Sequence, residues 1–202
     1  IRCLGGKFES IDLSILPNLE RLQISDGAIQ SIDITGHPKL QEVNLYSTPI
    51  EGALDLSDLQ DLTTIRIREN YNLTSLDISN CPQVKEITAD NNEKLTSLST
   101  ANCANLESLY CAGNGMSSLD ISYCPKMEFI MPNDNNALKT LNIAGTGQVM
   151  WYFYDYQLIS ITISEADYAR ANFPGWGIYD PSVYQYPASQ SGWQYPQYII
   201  VP

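Results

Sequence analysis

Apolar residues recur along this chain about every eleven positions from Phe8 to Ile163, and two such halves make one unit of 21 or 22 residues. Most unit starts are followed by an apolar residue three positions later and another five positions later. A period this regular predicts a solenoid, in which each coil contacts only its neighbours and all coils share one long surface. The starts are Phe8, Leu19, Ile29, Leu40, Ile50, Leu62, Leu73, Val84, Leu95, Leu106, Met116, Met127, Leu138, Val149 and Leu158.

The two halves of the unit have different sequences. One half, as at 106–114, reads L-x-x-L-x-C-x-x-N. It resembles the leucine-rich repeat, L-x-x-L-x-L-x-x-N, whose alternating stretch is a short parallel strand. The other half, as at 73–82, reads L-T-S-L-D-I-S-N-C-P. Together the halves resemble the leucine-rich repeats of secreted surface proteins from gut-dwelling Gram-negative bacteria. The resemblance covers about three quarters of the chain, and it implies an extracellular or cell-surface location.

The predicted fold is a leucine-rich-repeat solenoid over residues 1–164, mainly β, with parallel strands, coils of 21–22 residues, and a strand in at least one half of each unit. Residues 165–202 break the repeat and hold six tyrosines, two tryptophans and five prolines. We predict that this segment forms an irregular C-terminal cap, because the open edge and core of a last coil need a cover. Ile1 falls inside a repeat, so we expect a chain trimmed at its N-terminus.

Charge and motif content limit the function classes. A net charge of −12 argues against nucleic acid, whose phosphates need a basic stripe, and against docking on anionic lipid. No apolar run approaches the roughly 20 residues that a transmembrane helix needs. The single histidine, His37, lies at a repeat position, and no nucleotide-binding or zinc-protease motif is present. The sequence therefore predicts a protein without a cofactor or metal that is not an enzyme.

The five cysteines are predicted to be free structural thiols. Cys81, Cys103 and Cys124 lie at the same position of successive units. Stacked coils lie about 4.8 Å apart, so these thiols form a column of small buried side chains. A disulfide between neighbours in that column stays open as the alternative, because the column spacing is close to disulfide range.

Two polar columns also follow the repeat. Buried asparagines are predicted to satisfy backbone groups of the adjoining turn, and they are Asn70, Asn92, Asn114 and Asn135. A second column holds Asp12, Asp33, Asp55, Asp77 and Asp120. We expect each of these carboxylates to accept a hydrogen bond from a turn amide. A calcium ladder is the alternative, since stacked carboxylates repel one another without a cation or a donor.

The outward positions of the predicted strands hold the candidate binding residues. These positions are polar in the early coils and aromatic in the last ones, and two arginines lie two coils away from the aromatic group. The candidates are Arg66, Arg68, Tyr110, Phe129, Met131, Trp151 and Phe153. An apolar patch of this kind indicates a binding site. Alternatively, residues 165–202 cover the patch, or the patch and the tail form one site together.

The sequence therefore predicts a monomeric, non-catalytic extracellular recognition module that binds a protein or a glycan through its strand sheet. One alternative is a carbohydrate-active enzyme on a β-helix-like solenoid. Coils fixed at 21 or 22 residues argue against that alternative, because such enzymes vary their coils to build a cleft. The other alternative is a structural stalk that displays a preceding segment.

Overall fold

The computed structural model describes residues 1–6 and 8–146, together with the backbone of 150–151, 160–164 and 197–201. All secondary structure in these residues is β, and every strand pair is parallel. Paired residues in neighbouring coils are 21 or 22 positions apart, as for Leu22, Val43 and Ile65. This is the predicted leucine-rich-repeat solenoid. No helix in the described part of the chain is long and apolar enough to span a membrane.

One face of the solenoid is an eight-stranded sheet with one strand from each coil. Within its strands, buried and solvent-facing side chains alternate, as in the pattern of Thr64–Arg68, because successive side chains of a strand point to opposite sides. In order, the strands are β1 (Arg2–Leu4), β2 (Arg21–Ser25), β3 (Glu42–Tyr46), β5 (Thr64–Arg68), β7 (Glu86–Thr88), β9 (Ser108–Tyr110), β11 (Phe129–Met131) and β13 (Met150–Trp151). We call it the long sheet.

The second half of the unit also forms strands, so both halves are β. A three-stranded sheet contains β4 (Gly52–Asp55), β6 (Leu73–Asp77) and β8 (Ser97–Ser99). A four-stranded sheet contains β10 (Ser118–Asp120), β12 (Thr140–Asn142), β14 (Ser160–Ser164) and β15 (Gln197–Val201). Between β8 and β10 the pairing stops, and the Thr100 hydroxyl donates to the Asp120 carbonyl at 3.5 Å.

The strand β15 is the described part of the predicted C-terminal cap. It pairs in parallel with β14 over five residues, from Ser160 opposite Gln197 to Ser164 opposite Val201. It therefore extends the sheet beyond the last coil of the repeat. The remaining residues of the predicted cap, 165–196 and 202, lie outside the described part.

The core lies between the two strand faces and consists of the periodic apolar positions. Leu22, Val43 and Ile87 on the long sheet are fully buried, and so is Ile78 from the other half of the unit. Full burial of one such side chain contributes about 1.5–3 kcal/mol. The columns that make the repeat visible in the sequence are therefore the source of stability and do not contact a ligand.

Each coil bends at a residue in the left-handed conformation. At the bend after the long sheet these residues are Asp26, Ser47, Glu69, Asn91, Gly113 and Asp134, with φ between 50° and 68°. At the other bend they are Gly36, Asp58, Asn80, Asn102 and Gly145. Glycine and asparagine adopt this conformation readily. Ser47 and Glu69 adopt it with higher strain, so the sequence gives no local sign of the bend there.

Candidate functional site

The outward side of the long sheet carries five of the predicted site residues within the described part of the chain. Arg66 and Arg68 lie on β5 and are exposed. Tyr110 lies on β9, and Phe129 and Met131 lie on β11, all three half-buried. The two remaining candidates have no described side chain, because Trp151 is described only as backbone and Phe153 lies outside the described residues.

Tyr110 and Phe129 form the centre of this group. Their ring centroids are 5.1 Å apart and the ring planes are tilted by 41°, a geometry favoured for aromatic pairs. Met131 is paired in register with Tyr110 on the neighbouring strand. We call Tyr110, Phe129 and Met131 the aromatic cluster. Three side chains from two hydrogen-bonded strands thus form one contiguous surface.

The two arginines lie on the same face as the aromatic cluster, but at a distance of two coils. In register, Thr88 lies between Arg66 and Tyr110. Arg66 approaches Glu42 with an N–O distance of 3.8 Å, and Arg68 approaches Asp90 at 3.8 Å. Pairs exposed to this extent contribute little to stability, so the guanidinium groups stay available to a partner.

The half-buried Asp90 links the arginines to the next strands. Its carboxylate accepts a hydrogen bond from the Ala112 N–H at 3.0 Å and lies beside Arg68. Burial raises the pKa of Asp90, while the Ala112 bond and Arg68 act in the opposite direction. The carboxylate therefore connects two coils across the outer side of the sheet.

The backbone register at the last strand of the long sheet differs from the spacing inferred from sequence. Phe129 is opposite Met150, and Ile130 is opposite Trp151. The sequence interpretation continues the outward row from Phe129 to Trp151, a step of 22 residues. The register takes a step of 21 and brings Met150 next to Phe129 in this row.

The buried asparagine column links the coils through their backbones, as predicted. The Asn92 side-chain amide donates to Ile67 O of the preceding coil at 2.8 Å, and its Oδ1 accepts the Asn70 N–H at 2.9 Å. Asn114 repeats both bonds one coil later. At the start of the column, Asn70 Oδ1 is buried and has no partner within the described chain, because the preceding coil has Thr48 in this position.

The cysteines are free thiols, as predicted. Cys81 and Cys103 each donate a hydrogen bond to a carbonyl of the preceding coil at 3.1 Å, to Leu56 and Ile78 respectively. Burial raises the pKa of Cys81 to about 12 and that of Cys124 to about 11. Burial likewise raises the pKa of Cys103 and of Cys111. These four thiols are unreactive as thiolates at neutral pH, which fits a structural role.

The aspartate column makes the predicted turn hydrogen bonds. Asp33 Oδ1 accepts from the Thr35 hydroxyl at 2.6 Å and from the Thr35 N–H at 2.9 Å. The other members, Asp12, Asp55, Asp77 and Asp120, each accept the N–H two residues later. These bonds supply the donors that stacked carboxylates need. Among the described residues, no group of three or more His, Cys, Asp or Glu side chains is arranged to hold a metal ion.

His37 occupies the position that Cys81 takes in a later coil, and its ring is engaged by the backbone. Its Nε2 lies 3.0 Å from Leu13 O, and its Nδ1 lies 3.1 Å from the carbonyl oxygens of Ile34 and Thr35. The ring is 4% exposed. Because both nitrogens face carbonyl oxygens, the ring serves the bend and is not positioned to activate a nucleophile.

A concave feature at the bend after the long sheet was missed by the sequence interpretation. It is a groove of about 510 Å³ whose floor includes Gly113 and Asn114. Its walls carry Asn91 and Glu93 on one side and Asp134 and Asn136 on the other, with Tyr71 at one end. The sequence signal that could have found it is the pair Gly113 and Gly115, where other coils carry larger side chains.

No protein-family model matches the sequence, and no curated protein matches it. Among solved structures, the chain is similar to one described as the functional domain of InlJ from Listeria monocytogenes, which includes a cysteine ladder. The two chains are 18% identical with a TM-score of 0.35, and the match covers 81% of this chain and 50% of that chain. The match thus spans half the length of that structure. The leucine-rich-repeat architecture rests on the coil geometry described above.

Proposed function

We propose that this chain is a non-catalytic recognition module, outside the cell or at its surface, which binds a protein or a glycan through the outer side of the long sheet. The observation that carries the proposal is the Tyr110–Phe129 ring pair, 5.1 Å between centroids, on an otherwise polar sheet surface. Tyrosine and arginine are enriched among the residues that dominate binding energy. Half-buried rings on water are explained by a partner that completes their burial.

The strands beneath the aromatic cluster favour tight recognition. Phe129 and Ser108 are paired in register, as are Met131 and Tyr110. The adjacent inward residues Leu109 and Ile130 are fully buried. Side chains held on packed strands lose little conformational freedom on binding, and a preorganised surface therefore binds more tightly.

The polar surroundings of the cluster fit the periphery of the same interface. Arg66 lies in the row of Tyr110, and Arg68 lies one row further along β5. Exposed charges at the edge of an interface set orientation and association rate more than affinity. Trp151 and Phe153 extend the proposed site toward the last coil, and residues 165–202 either border this site or form part of it.

The test uses the full chain, screened against immobilised neutral and acidic glycans and against purified host surface proteins. We then compare Tyr110→Ala with Tyr123→Ala on every ligand found. Tyr123 is 55% exposed and lies at the bend after β10, away from the long sheet, so it is a matched control for loss of a tyrosine. Tyr110→Ala is expected to weaken binding at least tenfold, about 1.4 kcal/mol, and Tyr123→Ala to leave it unchanged.

Two outcomes contradict the proposed site. In the first, ligands bind equally well to the unaltered chain and to Tyr110→Ala and Met131→Ala. In the second, no glycan or protein in the screen binds. A hydrolysed glycan in the same screen, detected by mass spectrometry, would instead support the enzyme alternative.

A further inference from the structure

We propose that the groove at the bend after the long sheet is a second binding site and that its ligand is a neutral saccharide. The proposal is independent of the aromatic cluster, since the groove is formed by bend residues that follow the strands. Its floor is the segment of Gly113, Asn114 and Gly115, and its volume is about 510 Å³. Small-molecule sites in proteins have volumes of about 300–1,000 Å³.

The groove exists because one coil lacks two side chains that its neighbours have. The left-handed bend position carries Glu69, Asn91, Gly113 and Asp134 in successive coils. Two residues later, the same coils carry Tyr71, Glu93, Gly115 and Asn136. Only the coil with two glycines leaves both positions empty. The coils on either side therefore form two walls, and the backbone of the glycine coil forms the floor between them.

The two glycine positions are tightly bounded. A Cβ on Gly113 would lie 2.5 Å from Asn91 Oδ1, so the Asn91 amide leans over the glycine. A Cβ on Gly115 would lie 2.8 Å from the Glu93 carbonyl oxygen. Any side chain at these positions would occupy the space between the walls.

The wall side chains are polar and not committed to other contacts. Asn91, Glu93, Asp134 and Asn136 make no side-chain hydrogen bond or ion pair within the described chain. Elsewhere on the surface, asparagines are engaged by lysines of the next coil. The Lys39, Lys94 and Lys126 ammonium groups donate to Asn18, Asn72 and Asn105 at 2.7, 2.8 and 2.6 Å. No lysine plays that part in the walls of the groove.

The chemistry of the walls selects the ligand class. Carboxylates only accept hydrogen bonds, whereas side-chain amides both donate and accept. A sugar hydroxyl also donates and accepts, so it can use every wall group. A cationic ligand would leave the two amide NH₂ groups without an acceptor, and an anionic one would be repelled by Glu93 and Asp134. The Tyr71 ring at the end of the groove, 48% exposed, offers an apolar surface for a sugar ring face.

The experiment titrates the full chain with maltose, cellobiose, lactose, mannobiose and chitobiose, using saturation-transfer NMR and calorimetry. The first variant is Gly113→Asn, which fills the groove with a residue that Asn91 shows to be compatible with positive φ. Its matched control is Gly36→Asn, because Gly36 also has positive φ but a Cβ there meets nothing within 4 Å. Tyr71→Ala tests the wall without touching the backbone.

We expect at least one of these saccharides to bind, Gly113→Asn and Tyr71→Ala to weaken its binding at least tenfold, and Gly36→Asn to leave it unchanged. If Gly113→Asn does not fold, Tyr71→Ala decides. The proposal is overturned if none of the five saccharides binds, if binding survives both groove variants, or if only a lysine-rich control peptide binds. Loss of binding in Tyr110→Ala with full binding in Tyr71→Ala would assign the saccharide to the long sheet instead.

Discussion

Replacing Asn92 by alanine is expected to destabilise the protein more than the same change at Asn70. The two asparagines are fully buried at equivalent positions of neighbouring coils. Each side-chain amide donates to one carbonyl of the preceding coil and to one of its own coil. They differ at Oδ1, because Asn92 Oδ1 accepts the Asn70 N–H and Asn70 Oδ1 has no partner within the described chain.

The difference between the two variants therefore isolates one buried hydrogen bond. Asn92→Ala leaves the Asn70 N–H buried without an acceptor, which costs about 1–3 kcal/mol. Asn70→Ala leaves no such donor and removes an oxygen that lacks a partner. Because volume, burial and amide bonds are matched, we expect Asn92→Ala to reduce the free energy of unfolding by about 1–3 kcal/mol more than Asn70→Ala.

Urea denaturation followed by circular dichroism measures both free energies of unfolding, with the m-value as a check that both variants unfold alike. Equal losses of stability, or a larger loss for Asn70→Ala, would refute the assignment of the Oδ1 bond as a stabilising link between coils. Thr48→Ala serves as a control for removing a polar side chain from this column, because the Thr48 hydroxyl donates only to Tyr46 O of its own coil, at 3.2 Å.

Two further predictions concern thiols and acid. Because burial raises the pKa of Cys81 to about 12 and of Cys124 to about 11, the native chain at neutral pH is expected to react with Ellman's reagent only at the half-buried Cys3, and the denatured chain at all five thiols; equal rates in both states would contradict this. The Thr35 hydroxyl and N–H lower the pKa of Asp33 below 3.8, so this carboxylate stabilises the fold above pH 3.8 and the contribution is lost as pH falls through the folded-state pKa. Urea midpoints between about pH 5 and about pH 2 should accordingly fall less steeply for Asp33→Asn, and an unchanged slope would argue against the bond.

The solenoid could be predicted from the sequence because its signal is repeated in every coil. Coil length, inward columns and the hydrogen-bonding roles of Asn92 and Asp33 follow from residue type and period alone. The structure adds what periodicity does not carry. The left-handed bend at Glu69 has no local signal, since glutamate rarely adopts positive φ. The shift of register at Met150 depends on one residue fewer in a single coil.

The candidate site was predictable in part. The outward positions of Arg66 and Tyr110 follow from strand alternation, and the structure places them on one face. The contact between the Tyr110 and Phe129 rings is diagonal between rows and depends on side-chain geometry that the sequence does not encode simply. The groove at Gly113 was missed because it is defined by absent side chains, whereas the search for function followed the residues with chemistry.

The asparagine column also bears on how such a chain grows longer. Each bond in it joins residues 22 or 25 positions apart, wherever along the solenoid it lies. The entropy cost of closing a loop depends on its length, so every added coil closes a loop of the same size. Chain length and loop closure are thus uncoupled, and the exposed sheet can be enlarged coil by coil while the range of its contacts in sequence stays constant.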